Sequence, residues 1–127
     1  METYGKAALL VILAGLFLAA CVTPALQNQK QMEFGIWAAE RNLWDEAVYR
    51  WQKVLASTPN SAAAHNNLAV AYEKKGRVEE ARKEYEIALK LAPDNAKVKF
   101  NYAKFKESLE AGDKPKPDKA KGIDEKK

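Results

Sequence analysis

Apolar positions recur every three or four residues through the middle of the chain, and this period predicts amphipathic helices. The predicted helices span residues 29–41, 44–57, 62–75, 78–91 and 96–110. Asn42 marks one turn, Gly76 can take the left-handed conformation that ends a helix, and Pro59 and Pro93 prevent continuation. The pattern therefore predicts an all-α fold.

The middle of the chain repeats itself at a spacing of 34 residues. The positions that recur in register are Glu46/Glu80, Ala47/Ala81, Trp51/Tyr85, Leu55/Leu89 and Pro59/Pro93, with Phe34/Leu68/Tyr102 and Gly35/Ala69/Ala103. The recurring small residues let paired helices approach closely, where a larger side chain would push them apart. Each repeat is therefore predicted to fold as a helix hairpin.

The repeat also has a specific residue pattern, which is clearest in its second copy. That copy reads His65-x₂-Leu68-Ala69-x₂-Tyr72, then Ala81-x₃-Tyr85, then Pro93. It resembles the tetratricopeptide repeat, with a histidine where tryptophan is usual, and in the first copy Ala38 replaces the usual tyrosine. The resemblance implies an all-α α-solenoid of antiparallel helix hairpins: repeat 1 at residues 28–61, repeat 2 at residues 62–95 and a capping helix at residues 96–111.

The N-terminus carries an apolar run over residues 7–20, after Lys6. Fourteen helical residues span roughly 21 Å, which is short of the ~30 Å hydrocarbon core of a bilayer. The length favours the core of an export signal peptide over a membrane span. An uncleaved anchor helix stays open as the alternative.

The apolar run ends in Leu18-Ala19-Ala20-Cys21, which resembles the lipobox of bacterial lipoproteins. The resemblance implies a signal peptide over residues 1–20, a diacylglycerol thioether on Cys21 and a further palmitate-type chain on the new amino terminus. Several acyl chains give stable anchoring, whereas one is marginal. Residues 21–27 are then a lipidated linker. Val22 follows the cysteine in place of Asp, which favours the periplasmic face of the outer membrane over the inner membrane.

The C-terminal segment, residues 112–127, is rich in lysine and contains Pro115 and Pro117. With Ile123 as its one large apolar residue, it cannot bury enough surface to offset the entropy of ordering, so it is predicted to be disordered. A solubilising tail is preferred to one that contacts anionic lipid or cell-wall polymer.

Charge and residue inventory exclude several function classes. The net charge is +4, with 21 Lys and Arg interleaved with 17 Asp and Glu, so the clustered basic face of a nucleic-acid binder is missing. Cys21 is the one cysteine, which excludes an internal disulfide, and His65 is the one histidine, which cannot build a zinc site alone. Without a phosphate loop or nucleophile motif, we predict no catalytic residues, no metal, no cofactor and no enzymatic activity.

The tetratricopeptide resemblance implies instead a concave groove, lined by the first helix of each hairpin, that binds another protein. Carried over by position, the groove residues are Met32, Ile36, Asn66, Asn67, Val70, Lys74, Lys97, Phe100, Asn101 and Lys104. Their apolar floor and Lys/Asn edge favour a peptide segment with some negative charge. Asn67 and Lys97 alone match the family's carboxylate clamp, so capture of a chaperone tail is not expected.

These features together predict a membrane-anchored scaffold or assembly factor for an envelope complex, such as pilus, secretion or outer-membrane machinery. A cell-wall or polysaccharide accessory lipoprotein is the alternative, and homo-oligomerisation stays open. Trp37, Trp44 and Trp51 are expected to add buried area to the first repeat. Exposure of Trp37 or Trp44 would instead indicate self-association or docking on a partner.

Overall fold

The computed structural model describes residues 24–112, which form five helices and no strands. The helices are α1 (residues 24–40), α2 (Trp44–Ser57), α3 (Ala62–Lys74), α4 (Val78–Leu91) and α5 (Ala96–Glu110). α3 packs against both α2 and α4, and α5 packs against α4 and α3. The all-α solenoid of helix hairpins that the repeat predicts is confirmed.

Local side-chain chemistry explains where the helices begin and end. The Ser61 hydroxyl accepts from the Ala64 amide (3.3 Å), and the Asn95 side chain accepts from two amides in the first turn of α5 (3.0 and 3.2 Å). Both side chains satisfy donors that the first turn of a helix leaves unpaired. Asn42 and Gly76 have φ values of 59° and 71°, so each makes the left-handed turn between the two helices of its hairpin.

The first helix differs from its prediction, because residues 24–28 are already helical. The last four residues of the predicted linker 21–27 therefore belong to α1. Pro24 suits the first turn of a helix, where a missing N–H costs nothing. The Asn28 amide NH₂ donates to the Thr58 hydroxyl (2.9 Å), and its carbonyl oxygen accepts from Ser57 (2.7 Å). These contacts fasten this part of α1 to the end of α2.

The core of the array is built from small residues that alternate with aromatic ones. Its buried members include Ala38, Ala47, Trp51, Leu68, Ala69, Ala71, Tyr72, Ala81, Tyr85 and Phe105. Gly35 marks the closest approach, since a Cβ added there would lie 2.3 Å from Nε1 of the buried Trp51. A side chain at this position would therefore push α1 away from α2.

Tyr85 links the second hairpin to the fifth helix. Its ring centroid lies 5.6 Å from that of Tyr102 and 5.4 Å from that of Phe105, both on α5. Its hydroxyl donates to the Glu73 carboxylate (2.9 Å), and the side chain is almost fully buried. Burial, reinforced by the negative charge of Glu73, raises the pKa of Tyr85 well above its usual value.

The three tryptophans of the first repeat have different environments. Trp51 is buried and Trp44 is half-buried, but Trp37 is 41 % exposed, so the expectation that all three are buried is wrong for Trp37. Trp37 lies on the outer side of α1, the first helix of the array. No helix of the described part of the chain covers that side.

The predicted signal peptide over residues 1–20, the predicted lipidation site Cys21 and residues 113–127 of the predicted disordered tail lie outside the described residues. Between residues 24 and 112, no helix combines the length and the apolar character needed to cross a bilayer.

Candidate functional site

The predicted groove residues lie on the first helices of the hairpins, α1 and α3, and on α5. Ile36 on α1 and Phe100 on α5 are large apolar side chains that are 45 % and 62 % exposed. Met32 and Val70 are half-buried and pack against the core. The described first helices therefore carry two exposed apolar side chains and two partly buried ones.

Three lysines add positive charge to these helices. Lys74, Lys97 and Lys104 are all exposed, and the Lys104 ammonium lies 5.7 Å from the centroid of the Phe100 ring. A cation at this distance is attracted to the face of the ring, which keeps charge and apolar surface together. The combination suits a peptide that carries both apolar and acidic residues.

The asparagines of the groove form a short chain of amides across α3 and α5. Asn101 donates from Nδ2 to Oδ1 of Asn66 (3.1 Å), and Asn66 donates from Nδ2 to Oδ1 of Asn67 (3.4 Å). Asn66 is 3 % exposed, so its placement on the ligand side of the groove is corrected: it links two helices. Asn67 and Asn101 are half-buried and lie nearer the surface.

His65 has a structural environment, as its packing position in the repeat suggests. Its Nδ1 lies 2.6 Å from Oε2 of Glu84 on α4, and its Nε2 lies 2.9 Å from the carbonyl oxygen of Pro59. The buried ring thus joins α3, α4 and the loop after α2. Among residues 24–112, no three His, Cys, Asp or Glu side chains cluster as a metal site would require.

The acidic pairs at the starts of α2 and α4 are held by basic side chains. Asp45 pairs with Lys75, and Glu46 accepts from Arg50 at 2.6 Å. Glu80 accepts from Arg77 at 2.7 Å, and this hydrogen bond keeps the pKa of Glu80 below its usual value. These pairs stabilise helix starts and do not leave two carboxylates facing one another, as acid–base chemistry would need.

A second apolar surface was not among the predicted site residues. On the outer side of α1, the rings of Phe34 and Trp37 lie 4.9 Å apart and are 40 % and 41 % exposed. Arg50 and Arg41 lie over them, 4.3 Å and 4.4 Å from the respective ring centroids. The surface continues into a cavity of about 520 Å³ lined by Phe34, Trp37, Asn42, Leu43, Trp44, Asp45 and Glu46. The signal in the sequence was the aromatic pair three residues apart.

Comparison with known families bears on the same region. Residues 34–96 match the family model described as tetratricopeptide repeat. The match runs from the aromatic pair of α1 to the first residue of α5 and contains both hairpin turns. It supports the assignment that the repeat pattern suggested.

Three curated relatives share the name protein O-mannosyl-transferase. The chain is 41 % identical to TMTC4 of Mus musculus over 58 residues, which cover 46 % of this chain and 8 % of the relative. It is 33 % identical to Tmtc2 of Drosophila melanogaster over 86 residues (65 % and 9 %). It is 42 % identical to TMTC4 of Homo sapiens over 50 residues (39 % and 7 %). The matched segments span less than a tenth of each relative.

These names correct the prediction that the protein is not an enzyme, because the relatives are named as transferases. That prediction depended on a search for catalytic motifs in a short chain. The relatives show that a repeat segment of this kind occurs in proteins named as enzymes. A lack of motifs within the segment therefore does not exclude enzymatic activity.

Proposed function

From the tetratricopeptide match over residues 34–96, we propose that this chain is a membrane-anchored interaction scaffold for a complex of the bacterial cell envelope. Tetratricopeptide repeats bind other proteins, so the array is a protein–protein interaction scaffold. The observation that carries the proposal is the exposure of Ile36 and Phe100, with Lys104 over the Phe100 ring and with Lys74 and Lys97 exposed on α3 and α5. Exposed apolar side chains with charged residues near them support a role in binding a partner.

The ligand of this groove is a peptide segment with apolar side chains and net negative charge. Ile36 and Phe100 supply the apolar contacts, and the three lysines supply complementary charge at the edge. Rim charges of this kind chiefly speed association and select the partner. In this proposal the side-chain NH₂ of Asn67 on α3 donates to the backbone or a carboxylate of the bound segment.

The anchor in this proposal is a lipid on Cys21, suggested by its place at the end of the Leu18-Ala19-Ala20-Cys21 sequence. Because α1 already includes Pro24, at most three residue steps, about 10 Å when extended, join Cys21 to the helix. A lipidated array would therefore stay close to the bilayer. Its partner would then belong to the envelope, as pilus, secretion or outer-membrane machinery does.

The experiment compares charge-reversed variants of the full chain in pull-downs from detergent-solubilised membranes. Lys74→Glu with Lys97→Glu should remove the captured protein partner. Lys83→Glu with Lys90→Glu is the matched control, because both lysines are exposed but lie on α4, outside the groove. Equal capture by both double variants would refute the groove. Sedimentation with purified peptidoglycan, without a protein partner, would favour the cell-wall alternative.

The names of the relatives favour a second candidate, in which the array serves protein O-mannosyl transfer. The supporting observation is 33 % identity over 65 % of the chain to a protein with that name. The test incubates membranes that contain the full chain with a labelled mannosyl donor and a Ser/Thr-rich acceptor protein. Label transferred above the level of membranes without the chain supports this candidate, and equal labelling rejects it.

A further inference from the structure

The outer side of α1 carries an aromatic pair that recurs elsewhere in the array. Two repeats of 34 residues further along the chain, Phe34 and Trp37 correspond to Tyr102 and Phe105 of α5. The two pairs have different surroundings: Phe105 is fully buried and Tyr102 is half-buried, whereas Phe34 and Trp37 are 40 % and 41 % exposed. The same helix position is therefore covered in α5 and open in α1.

The covered pair shows which kind of element fits on this position. Tyr102 and Phe105 pack on Tyr85 of α4, with ring centroids 5.6 Å and 5.4 Å apart. Tyr85 stands between Ala81 and Ala88, both fully buried, which leave room for the aromatic rings of α5. The covering element is thus a helix with an aromatic residue flanked by small ones. In α2 the same positions hold Ala47, Trp51 and Val54, which are also buried.

We infer that the α1 outer face, defined as Lys30, Glu33, Phe34, Trp37 and Arg41, docks an amphipathic helix of a partner protein. That helix carries a small residue, an aromatic residue four positions later and a second small residue three positions after that. It packs on Phe34 and Trp37 as α4 packs on Tyr102 and Phe105. The cavity beside Leu43 and Trp44 receives a further apolar side chain of the partner.

Charge on the face adds a second requirement for the partner helix. Arg41 and Arg50 lie over the exposed rings of Trp37 and Phe34. In the covered pair, Arg82 of the covering helix lies 6.0 Å from the Phe105 ring, and α4 carries acidic residues, among them Glu79, Glu84 and Glu86. A partner helix of net negative charge would match Lys30 and Arg41 of the open face, whereas Arg50 already donates to Glu46.

Residues 24–112 supply no helix that could occupy the α1 outer face. In the array, the loops 58–61 and 92–95 return the chain from one helix to the next. Their equivalents at the spacing of 34 residues include residues 24–27, which are helical. The described chain therefore has no turn at this place that would bring a preceding helix back over the α1 outer face.

A second copy of the chain fits less well than a helix of the α4 type. Where α4 has Ala81 and Ala88 beside its aromatic residue, the α1 outer face has Lys30, Glu33 and Arg41. Two such faces would bring aromatic rings together without the small residues that make room for them. The α1 outer face is also separate from the groove of Ile36 and Phe100, so the inference does not depend on the groove.

The test uses a labelled peptide with the sequence of Val78–Leu91, held helical by a staple on its solvent side, and the full chain in mild detergent. Fluorescence anisotropy measures binding to the wild type, to Phe34→Ala with Trp37→Ala, and to Tyr49→Ala as the matched exposed-aromatic control, since Tyr49 lies on α2 and belongs to neither surface. We expect saturable binding that the double substitution weakens at least about tenfold, as loss of an aromatic anchor does, while Tyr49→Ala changes it less than about twofold. Tyr85→Ala in the peptide should have the same effect as the double variant.

Three results would overturn the inference. The first is no saturable binding of the stapled peptide, and the second is equal binding to the wild type and the double variant. The third is a concentration-dependent dimer in sedimentation velocity that the double variant loses, since it would assign the face to a second copy. Circular dichroism verifies that each variant keeps its helical content. Lys74→Glu with Lys97→Glu should bind the peptide normally, which separates this surface from the groove.

Discussion

His65 and Glu84 connect the two helices of the second hairpin: Nδ1 of His65 on α3 lies 2.6 Å from Oε2 of Glu84 on α4. The other ring nitrogen lies 2.9 Å from the Pro59 carbonyl oxygen. Both ring nitrogens of this buried side chain therefore lie within hydrogen-bonding distance of an oxygen from a separate part of the fold. Groups of this kind cost free energy when they lose a partner.

Replacing His65 by Ala removes both contacts and leaves a small cavity. We expect the free energy of unfolding to fall by about 2–3 kcal/mol, and by about 1 kcal/mol for Glu84→Gln, which keeps a hydrogen-bonding oxygen. Urea unfolding followed by circular dichroism measures both variants. Lys83→Gln, an exposed change on the same helix, is the control. A loss no larger for His65→Ala than for this control would contradict the structural role of the ring.

Gly35 is expected to resist any side chain. Gly35→Ala would raise helix propensity by about 1 kcal/mol. Its Cβ, however, would lie 2.3 Å from Nε1 of the buried Trp51, so we expect a net loss of stability of about 1–3 kcal/mol. Ala103 has the same repeat position on α5 and is exposed, so Ala103→Leu should change stability by less than about 0.5 kcal/mol. Thermal unfolding of the two variants decides the point, and a stabilised Gly35→Ala protein would refute it.

Tyr85 should make the fold sensitive to alkali. Burial and the Glu73 carboxylate raise the pKa of Tyr85 in the folded state above its value of about 10 in the unfolded chain. The stability that the protonated Tyr85 hydroxyl contributes is complete below pH 10. It is lost progressively above pH 10, because Tyr85 loses its proton in the unfolded state while it is still protonated in the folded state. The free energy of unfolding should therefore fall by up to about 1.4 kcal/mol per pH unit from this group.

The variant Tyr85→Phe isolates that contribution. Its stability should decline less steeply than that of the wild type between about pH 10 and pH 11.5, since the ring stays while the ionisable hydroxyl is lost. The pH dependence of stability that remains in the variant includes a contribution from Tyr102. The pKa of Tyr102 is also raised, first by burial and then by Glu86. Urea titrations at stepped pH provide the measurement. Parallel curves for the wild type and the variant would show that Tyr85 does not contribute.

Cys21 gives the direct test of the anchor. Cys21→Ser removes the thiol that would take a diacylglycerol, so the protein should leave the membrane fraction or accumulate as uncleaved precursor. The helices of residues 24–112 do not include this residue, so helical content should be retained. Membrane fractionation with mass spectrometry of the N-terminus reads the result. A variant that stays in the membrane with normal processing would refute the lipid.

The helices were predictable from sequence because their signals are local. Apolar spacing, Gly76, Pro59 and Pro93 fix α2 to α5 within a residue or so of the observed bounds. The early start of α1 was missed because it depends on Asn28 contacting Ser57 and Thr58, some 30 residues away. The spacing of apolar residues along one helix does not predict contacts between residues so far apart in the sequence.

The site was less predictable than the fold. Ile36 and Phe100, carried over from the family as groove residues, are exposed, and their place in a groove stays a prediction. The family positions also include Asn66, although its side-chain oxygen accepts a hydrogen bond from Asn101 on α5. The exposure of Trp37 depends on whether another helix packs against α1. The sequence of α1 alone does not determine whether its aromatic residues are buried.

Among the described residues the two ends of the array differ, because the α1 outer face presents exposed aromatic rings while α5 carries exposed lysines, among them Lys99, Lys104 and Lys106. The described stack therefore has a direction, and its α1 end is the one that suits an added helix. A partner that adds a helix there would extend the groove past Ile36 into its own surface. A long ligand would then contact both proteins at once, and its affinity for either protein alone would be lower than its affinity for the two together.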